Sequence, residues 1–138
     1  MAKTLAEVMS ADPVICGPAD TLQDAARLMR DRNIGDVVIV DSGGVRGIVT
    51  DRDLVVRALA AGYDPTTHLR DVCSQPVITL ESTAPVVDAA ELMRKEAVRR
   101  VPIIEGPQLV GIVSIGDLTR SEDPTSTLAD ISAAPPNG

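Results

Sequence analysis

The chain has 138 residues, 44% of them apolar and 24% charged, with a formal net charge of −7 and a pI near 4.6, a balance that suits one compact globular domain or two small halves sharing a core. This acidity argues against general affinity for DNA or RNA, which rests on phosphate neutralisation by Lys and Arg. No apolar run approaches the ~20 residues of a membrane span, and the opening residues Met1 to Glu7 lack the apolar core of a signal peptide, so a cytoplasmic location is expected.

Pro13-Val14-Ile15-Cys16 reads as a short strand that Gly17-Pro18 breaks. Leu22, Ala25, Ala26 and Met29 then recur at i, i+3, i+4 and i+7, one apolar stripe of a helix, with Thr21 and Asp24 as its start signal. Val37 to Val40 and Val45 to Val49 are β-branched strands joined by Asp41-Ser42-Gly43-Gly44, a hairpin signal. Thr50 opens a helix predicted to run to about Ala61, where Gly62 and Pro65 stop it. Tyr63 to Arg70, with the single histidine His68, reads as a polar, solvated connection. The pattern then repeats: a strand at Val77-Ile78-Thr79, a helix over Val86 to Glu96, strands at Val101 to Ile104 and Leu109 to Val113 around a turn at Glu105-Gly106-Pro107-Gln108, and a helix from Ser114. The remainder, rich in Ser, Thr, Ala and Pro, is expected to be a flexible tail over 122–138.

The repetition is residue by residue. Between 18–54 and 82–118 there are 13 identities in 37 gapless pairs, all at an offset of 64. Asp24-Ala25-Ala26 returns as Asp88-Ala89-Ala90, and Gly47-Ile48-Val49-Thr50-Asp51-Arg52-Asp53-Leu54 returns as Gly111-Ile112-Val113-Ser114-Ile115-Gly116-Asp117-Leu118. Such self-similarity marks a duplicated supersecondary unit, and units of this size are marginal alone. The expected organisation is repeat 1 over 5–62, a connection over 63–70, repeat 2 over 71–121 and the tail. The halves are expected to pack sheet to sheet about a pseudo-twofold axis. Phe and Trp are absent and there is one Tyr, so aliphatic side chains fill the core, and a planar ligand would lie between them without an aromatic stack. Cys16 and Cys73 are not equivalent in the repeats, and no Cys/His spacing resembles a zinc site. Both are expected to be small buried or half-buried hydrophobes.

The pairs Thr50/Asp53 and Ser114/Asp117 admit two interpretations. Locally each is a capping box: the hydroxyl accepts an amide three residues on and the carboxylate reaches back. Functionally, a strand-to-helix junction offers N–H groups to phosphate, and an exposed Asp accepts two hydrogen bonds from a ribose diol, as acidic residues do in dinucleotide-binding folds. The two are compatible.

Gly-apolar-Val-Thr/Ser-x-x-Asp-Leu after a hairpin, preceded by Ala97-Val98-Arg99-Arg100-Val101-Pro102-Ile103-Ile104 and by Pro76-Val77-Ile78-Thr79, resembles the cystathionine-β-synthase (CBS) domain motif in tandem, a Bateman module. The resemblance spans roughly residues 5 to 121 and extends to small stand-alone actinobacterial CBS pairs of the hypoxic response protein type. It implies an α/β (α+β) fold of two CBS units, each a small three-stranded sheet with two helices. It also implies a homodimer, and an adenosine-containing regulatory ligand (AMP, ADP, ATP or S-adenosylmethionine) in the cleft between repeats. By that resemblance the ligand-binding residues are Asp117, Ser114, Thr79, Arg99 and Arg100 in the second repeat, and Asp53, Thr50 and Ile15 in the first. Where the second repeat has Arg99-Arg100 the first has Gly35-Asp36, an anion where a phosphate needs a cation, so the site carrying Asp117 is expected to suit a phosphorylated ligand better. The alternative for Arg99-Arg100 is a solvated pair complementing the preceding helix C-terminus.

The chain is thus expected to be a non-enzymatic sensor with no required cofactor, no metal and an unidentified protein target. The alternative is a ligand-free structural or interaction dimer in which the capping boxes are only caps. No set of groups suited to acid–base or covalent catalysis is present.

Overall fold

A computed structural model describes residues 3–42, 44–73 and 77–121. It is a mixed α/β structure divided into two compact units. One combines the segment up to Pro13 with the chain from Ile78 onward, and the other runs from Val14 to Val77.

In the unit of the first repeat, β2 (Ile15–Cys16) pairs in parallel with β3 (Asp36–Asp41), which pairs antiparallel with β4 (Gly44–Thr50). The crossover between β2 and β3 is α2 (Leu22–Arg32). Its start is the expected capping box: the Asp24 N–H donates to Thr21 Oγ1 over 3.1 Å and the Thr21 N–H to Asp24 Oδ2 over 2.9 Å. Asn33 ends it in the left-handed region at φ 54°, a conformation that Asn tolerates. The helix expected from Thr50 to Ala61 is α-helical only over α3 (Asp51–Asp53). It continues as a π-helix over Leu54–Leu59, with the Ala60 N–H donating to the Val55 carbonyl over 2.9 Å.

The second repeat supplies β5 (Leu80–Glu81), α4 (Val86–Glu96), β6 (Arg100–Glu105), β7 (Gln108–Ser114) and α5 (Ile115–Ser121). Because β1 (Ser10–Ala11) pairs antiparallel with β7, its sheet has four strands rather than three, in the order β1-β7-β6-β5. Before β1, α1 (Leu5–Val8) docks on the start of α4. The Leu5 N–H donates to the Ala84 carbonyl, the Ala6 N–H to Ser82, and the Val86 N–H to Lys3, each over 2.9 Å.

The segment expected to be a solvated connection is built into the other unit in the same way. The Leu69 N–H donates to Asp20 over 2.8 Å, the Arg70 N–H to Pro18 over 3.1 Å, and the Leu22 N–H to Thr67 over 3.0 Å. His68 is half-buried and bridges to Thr21. Every one of these bonds maps onto its counterpart at the offset of 64, with the partners exchanged. The turn that precedes the first repeat therefore completes the second, and the turn that precedes the second, with the short helix Leu69–Asp71, completes the first.

The first strand of each repeat starts at a different register, and two prolines account for it. The shared pair is Cys16 with Ile39 and Leu80 with Ile103. In the first repeat the ladder extends backward, since the Val38 N–H donates to the Val14 carbonyl over 3.0 Å. In the second repeat Pro102 stands at that place and has no N–H to give Ile78, so the strand expected at Val77 to Thr79 begins at Leu80. It extends forward instead through the Ser82 N–H to Ile104, over 3.0 Å, where the first repeat has Pro18.

Among the described residues each unit holds its own cluster of buried apolar side chains. Leu5, Val86, Ala89, Ala90, Met93, Val101, Ile103, Val113, Ile115 and Leu118 fill one unit. The other is filled by Cys16, Leu22, Ala25, Met29, Val37, Ile39, Val49, Ala58, Leu69, Val72 and Cys73. Both cysteines are buried, as expected for small hydrophobes, and they are not joined in a disulfide. No helix of the described residues is long and apolar enough to cross a membrane.

Candidate functional site

Both hydroxyl–carboxylate pairs form reciprocal capping boxes at the end of a hairpin strand. The Thr50 N–H donates to Asp53 Oδ2 over 2.9 Å and the Asp53 N–H to Thr50 Oγ1 over 3.0 Å. The Ser114 N–H donates to Asp117 Oδ2 over 2.9 Å and the Asp117 N–H to Ser114 Oγ over 3.2 Å. The local interpretation of these residues is thus realised in full, and it fixes where each carboxylate points.

The second carboxylate oxygen is held differently in the two copies. Asp117 Oδ1 is paired with the Arg120 guanidinium one turn on. Asp53 Oδ1 lies 3.9 Å from the Arg57 guanidinium, four residues on along the wider π-helical winding. Arg120 was not among the residues expected at a site, although a cation three or four positions after a capping Asp is a visible signal. A carboxylate offers about four lone-pair directions. The cap and the arginine use one on each oxygen, which leaves one on each for two neighbouring hydroxyls.

The sheet register assembles the rest. Directly opposed residues of an antiparallel pair project to the same face, and residues alternate between faces along a strand. Thr50 is opposite Asp36, and Ser114 is opposite Arg100. Ile15, Val38 and Asp36 share the face of Thr50, while Cys16, Val37, Ile39 and Val49 point to the unit's own core. In the other unit Arg100 and Ser114 share a face, while Val101, Ile103 and Val113 point to the core. Both candidate sets thus lie on the sheet face turned away from the unit's own core cluster. Arg99 enters through its backbone, its carbonyl accepting the Ile115 N–H over 3.1 Å, as the Gly35 carbonyl accepts that of Asp51 over 3.0 Å. Thr79 is half-buried, one residue before the first paired residue of β5. Ile15 is 53% exposed, a large apolar side chain open on the strand. Register therefore brings Asp36 to Thr50 and Arg100 to Ser114, and capping brings the Asp53 and Asp117 carboxylates to the backbone N–H of those same residues.

The charges around the two junctions differ. Over Gly35, Asp36 and Thr50 to Arg57 there are three carboxylates and two guanidiniums. Over Arg99, Arg100 and Ser114 to Ser121 there are one carboxylate and three guanidiniums. Among the described residues no group of three or more His, Cys, Asp or Glu side chains is placed to hold a metal ion.

The family model for the CBS domain matches twice, over residues 5–59 and 69–123. The CBS domain-containing protein YhcV of Bacillus subtilis is 35% identical over 130 residues, covering 91% of this chain and 93% of that one. The crystal structure of Hypoxic Response Protein I with two coordinated zinc ions is similar with a TM-score of 0.79 at 34% identity, covering 88% of this chain and 100% of the other. The CBS domain pair of protein MJ0100, in complex with methylthioadenosine and S-adenosyl-L-methionine, has a TM-score of 0.78 at 27% identity, covering 88% of this chain and 96% of its own. With two tandem matches that span most of its length, the chain belongs to the CBS domain family and is a CBS-domain pair.

Proposed function

We propose that this CBS pair is a non-enzymatic regulatory module whose two hydroxyl–aspartate junctions bind adenosine-containing ligands, with AMP, ADP, ATP and S-adenosylmethionine as the candidates. The observation that carries the proposal is the doubled, pre-aimed carboxylate: Asp53 and Asp117 are each held by a cap and an arginine, with capacity left for a ribose diol. The complex of the MJ0100 pair with two adenosine derivatives supports the ligand class. Pro102 adds a further feature to the second repeat, since it cannot supply the N–H that Val38 gives to Val14. The backbone around Ile78 and Thr79 can then face the edge of a base.

Occupancy acts through differential affinity. A ligand shifts the protein only as far as it prefers one conformation to another. Arg100 opposite Ser114 makes the second repeat the better phosphate site.

Calorimetric titration of AMP, ATP and S-adenosylmethionine into the wild type, Asp53→Asn and Asp117→Asn tests this. Asparagine keeps an acceptor for the cap and removes the charge. Binding by the wild type, with AMP weakened more by Asp117→Asn than by Asp53→Asn, is expected. No heat from any ligand overturns the proposal, and binding unaffected by both substitutions overturns the residue assignment.

A second function, as an interaction dimer, is favoured by the π-helical stretch. Val55, Val56, Leu59 and Tyr63 are 57%, 47%, 70% and 45% exposed on consecutive turns, a concentration of apolar surface that marks association sites. Sedimentation of Leu59→Asp against the wild type decides it: a dimer that becomes monomeric supports this function, and unchanged sedimentation removes it.

A further inference from the structure

We infer that the two junctions select adenosine ligands by opposite charge: the Thr50/Asp53 junction takes uncharged or cationic adenosine derivatives, of the thioether or sulfonium class, and the Ser114/Asp117 junction takes phosphorylated ones. This inference rests on the adenosine-binding function proposed above and names the ligand class of each site.

The residue opposite the site hydroxyl lies on the same face, within about 5.5 Å at Cβ, so it stands beside whatever extends from a clamped ribose. In the first repeat that residue is Asp36, and in the second it is Arg100. The contrast does not depend on one side chain being unpartnered, because it extends through each junction. The position after Thr50 is Asp51, where Ser114 is followed by Ile115, and Gly35 stands where the second repeat has Arg99. The first junction has an excess of one carboxylate and the second an excess of two guanidiniums. A partly enclosed site discriminates by the sign of the summed field more than by any one contact.

The apolar side follows the same division. Ile15, exposed on the Thr50 face, replaces the hydroxyl of Thr79. An aliphatic surface suits a methylthio group, whose sulfur is only a weak acceptor, and the Asp36 carboxylate beside it suits the positive charge of a sulfonium. A phosphate there would meet Asp36 with no hydroxyl donor from Ile15. Beside Ser114 the same phosphate meets Arg100 and the Thr79 hydroxyl comes from the neighbouring strand edge. The duplication has thus kept the ribose clamp in both copies and changed what surrounds the 5′ substituent.

The test titrates AMP, S-adenosylmethionine and methylthioadenosine into the wild type, Asp36→Arg and Arg100→Asp, with Asp53→Asn and Asp117→Asn reporting which junction is filled. Circular dichroism confirms that each variant is folded. Expected is loss of AMP binding in Asp117→Asn and of S-adenosylmethionine binding in Asp53→Asn. Arg100→Asp should weaken AMP by about tenfold or more while leaving S-adenosylmethionine within about twofold. Asp36→Arg should weaken S-adenosylmethionine and leave methylthioadenosine, which has no charge, largely unaffected. If both ligand classes compete for one junction, or if the charge reversals move AMP and S-adenosylmethionine in the same direction, the selectivity is wrong while adenosine binding stands. If none of the three binds the wild type, the adenosine function itself fails.

Discussion

Leu5 and Leu69 are equivalent by sequence and exchanged in space: Leu5 donates its N–H to Ala84 in the second repeat, and Leu69 donates its own to Asp20 in the first. Both side chains are fully buried, Leu5 in the cluster of the second repeat and Leu69 in that of the first.

The consequence is a non-local effect of local substitutions. Leu5→Ala should destabilise by about 3 kcal/mol, the cost of a buried leucine truncated to alanine. Hydrogen exchange should show the loss over residues 78–121, not over 14–73, although Leu5 stands at the head of the first repeat. Leu69→Ala should loosen 14–73. Loss of protection in the opposite units would contradict the exchanged arrangement.

Gly111 is placed where the docked arm meets β7. An added Cβ would meet the Met9 sulfur, its Cγ at 2.8 Å and the Ser10 carbonyl oxygen at 2.9 Å. Met9 can rotate away, but the Ser10 carbonyl belongs to the paired backbone of β1. Gly111→Ala is therefore expected to cost about 1–3 kcal/mol in chemical denaturation, and Met9→Ala should not rescue it. A full rescue would show that the sulfur alone was the obstacle.

Equivalent helix ends differ in quality. Asn33 closes α2 at φ 54°, and Ala97 closes α4 at φ 56° on an exposed position. Alanine pays a left-handed penalty that glycine avoids, so Ala97→Gly should raise the unfolding midpoint, by about 0.5–1 kcal/mol in stability. Asn33→Ala should lower it. An Ala97→Gly variant no more stable than the wild type would reject this account.

Burial, reinforced by the Asp20 and Asp24 carboxylates, pushes the Cys16 thiol from its ordinary 9.0 up to about 11. Its folded value lies above its unfolded one, so this contribution to stability is fully present below pH 9 and is lost as pH rises toward about 11. Alkylation proceeds through the thiolate. Cys16 should react with iodoacetamide at pH 8 about a hundredfold more slowly in the folded protein than in denaturant, two pH units being two decades of thiolate. Equal rates would mean that the thiol is neither buried nor shifted.

Periodicity revealed the helices α2 and α4, the two hairpins and the two capping boxes, because each follows from residues close in the chain. The offset of 64 also sets residues 67–73 against 3–9, with Leu5 against Leu69 and Val8 against Val72, a match outside the expected organisation, which made 63–70 a connection. It could not show the exchange, because a repeated pattern reads the same whichever copy a turn joins. The displaced strand at Leu80 was legible in principle: Val38 against Pro102 and Pro18 against Ser82 are both visible, but their effect needs the partner strand's register. The π-helix over Leu54–Leu59 has no signal in the apolar pattern, which fits an α-helix equally well. At the site, Asp36 and Arg100 were visible as a contrast, and only the register placed them beside Thr50 and Ser114.

The exchanged turns leave the two units unequal along the chain. The first is one continuous stretch from Val14 to Val77, closed by its own following turn at Leu69–Asp71, whereas the second draws its turn at Leu5–Val8 from the far end of the first. Cutting the chain before Val14 would thus take a part from the second unit and leave the first whole.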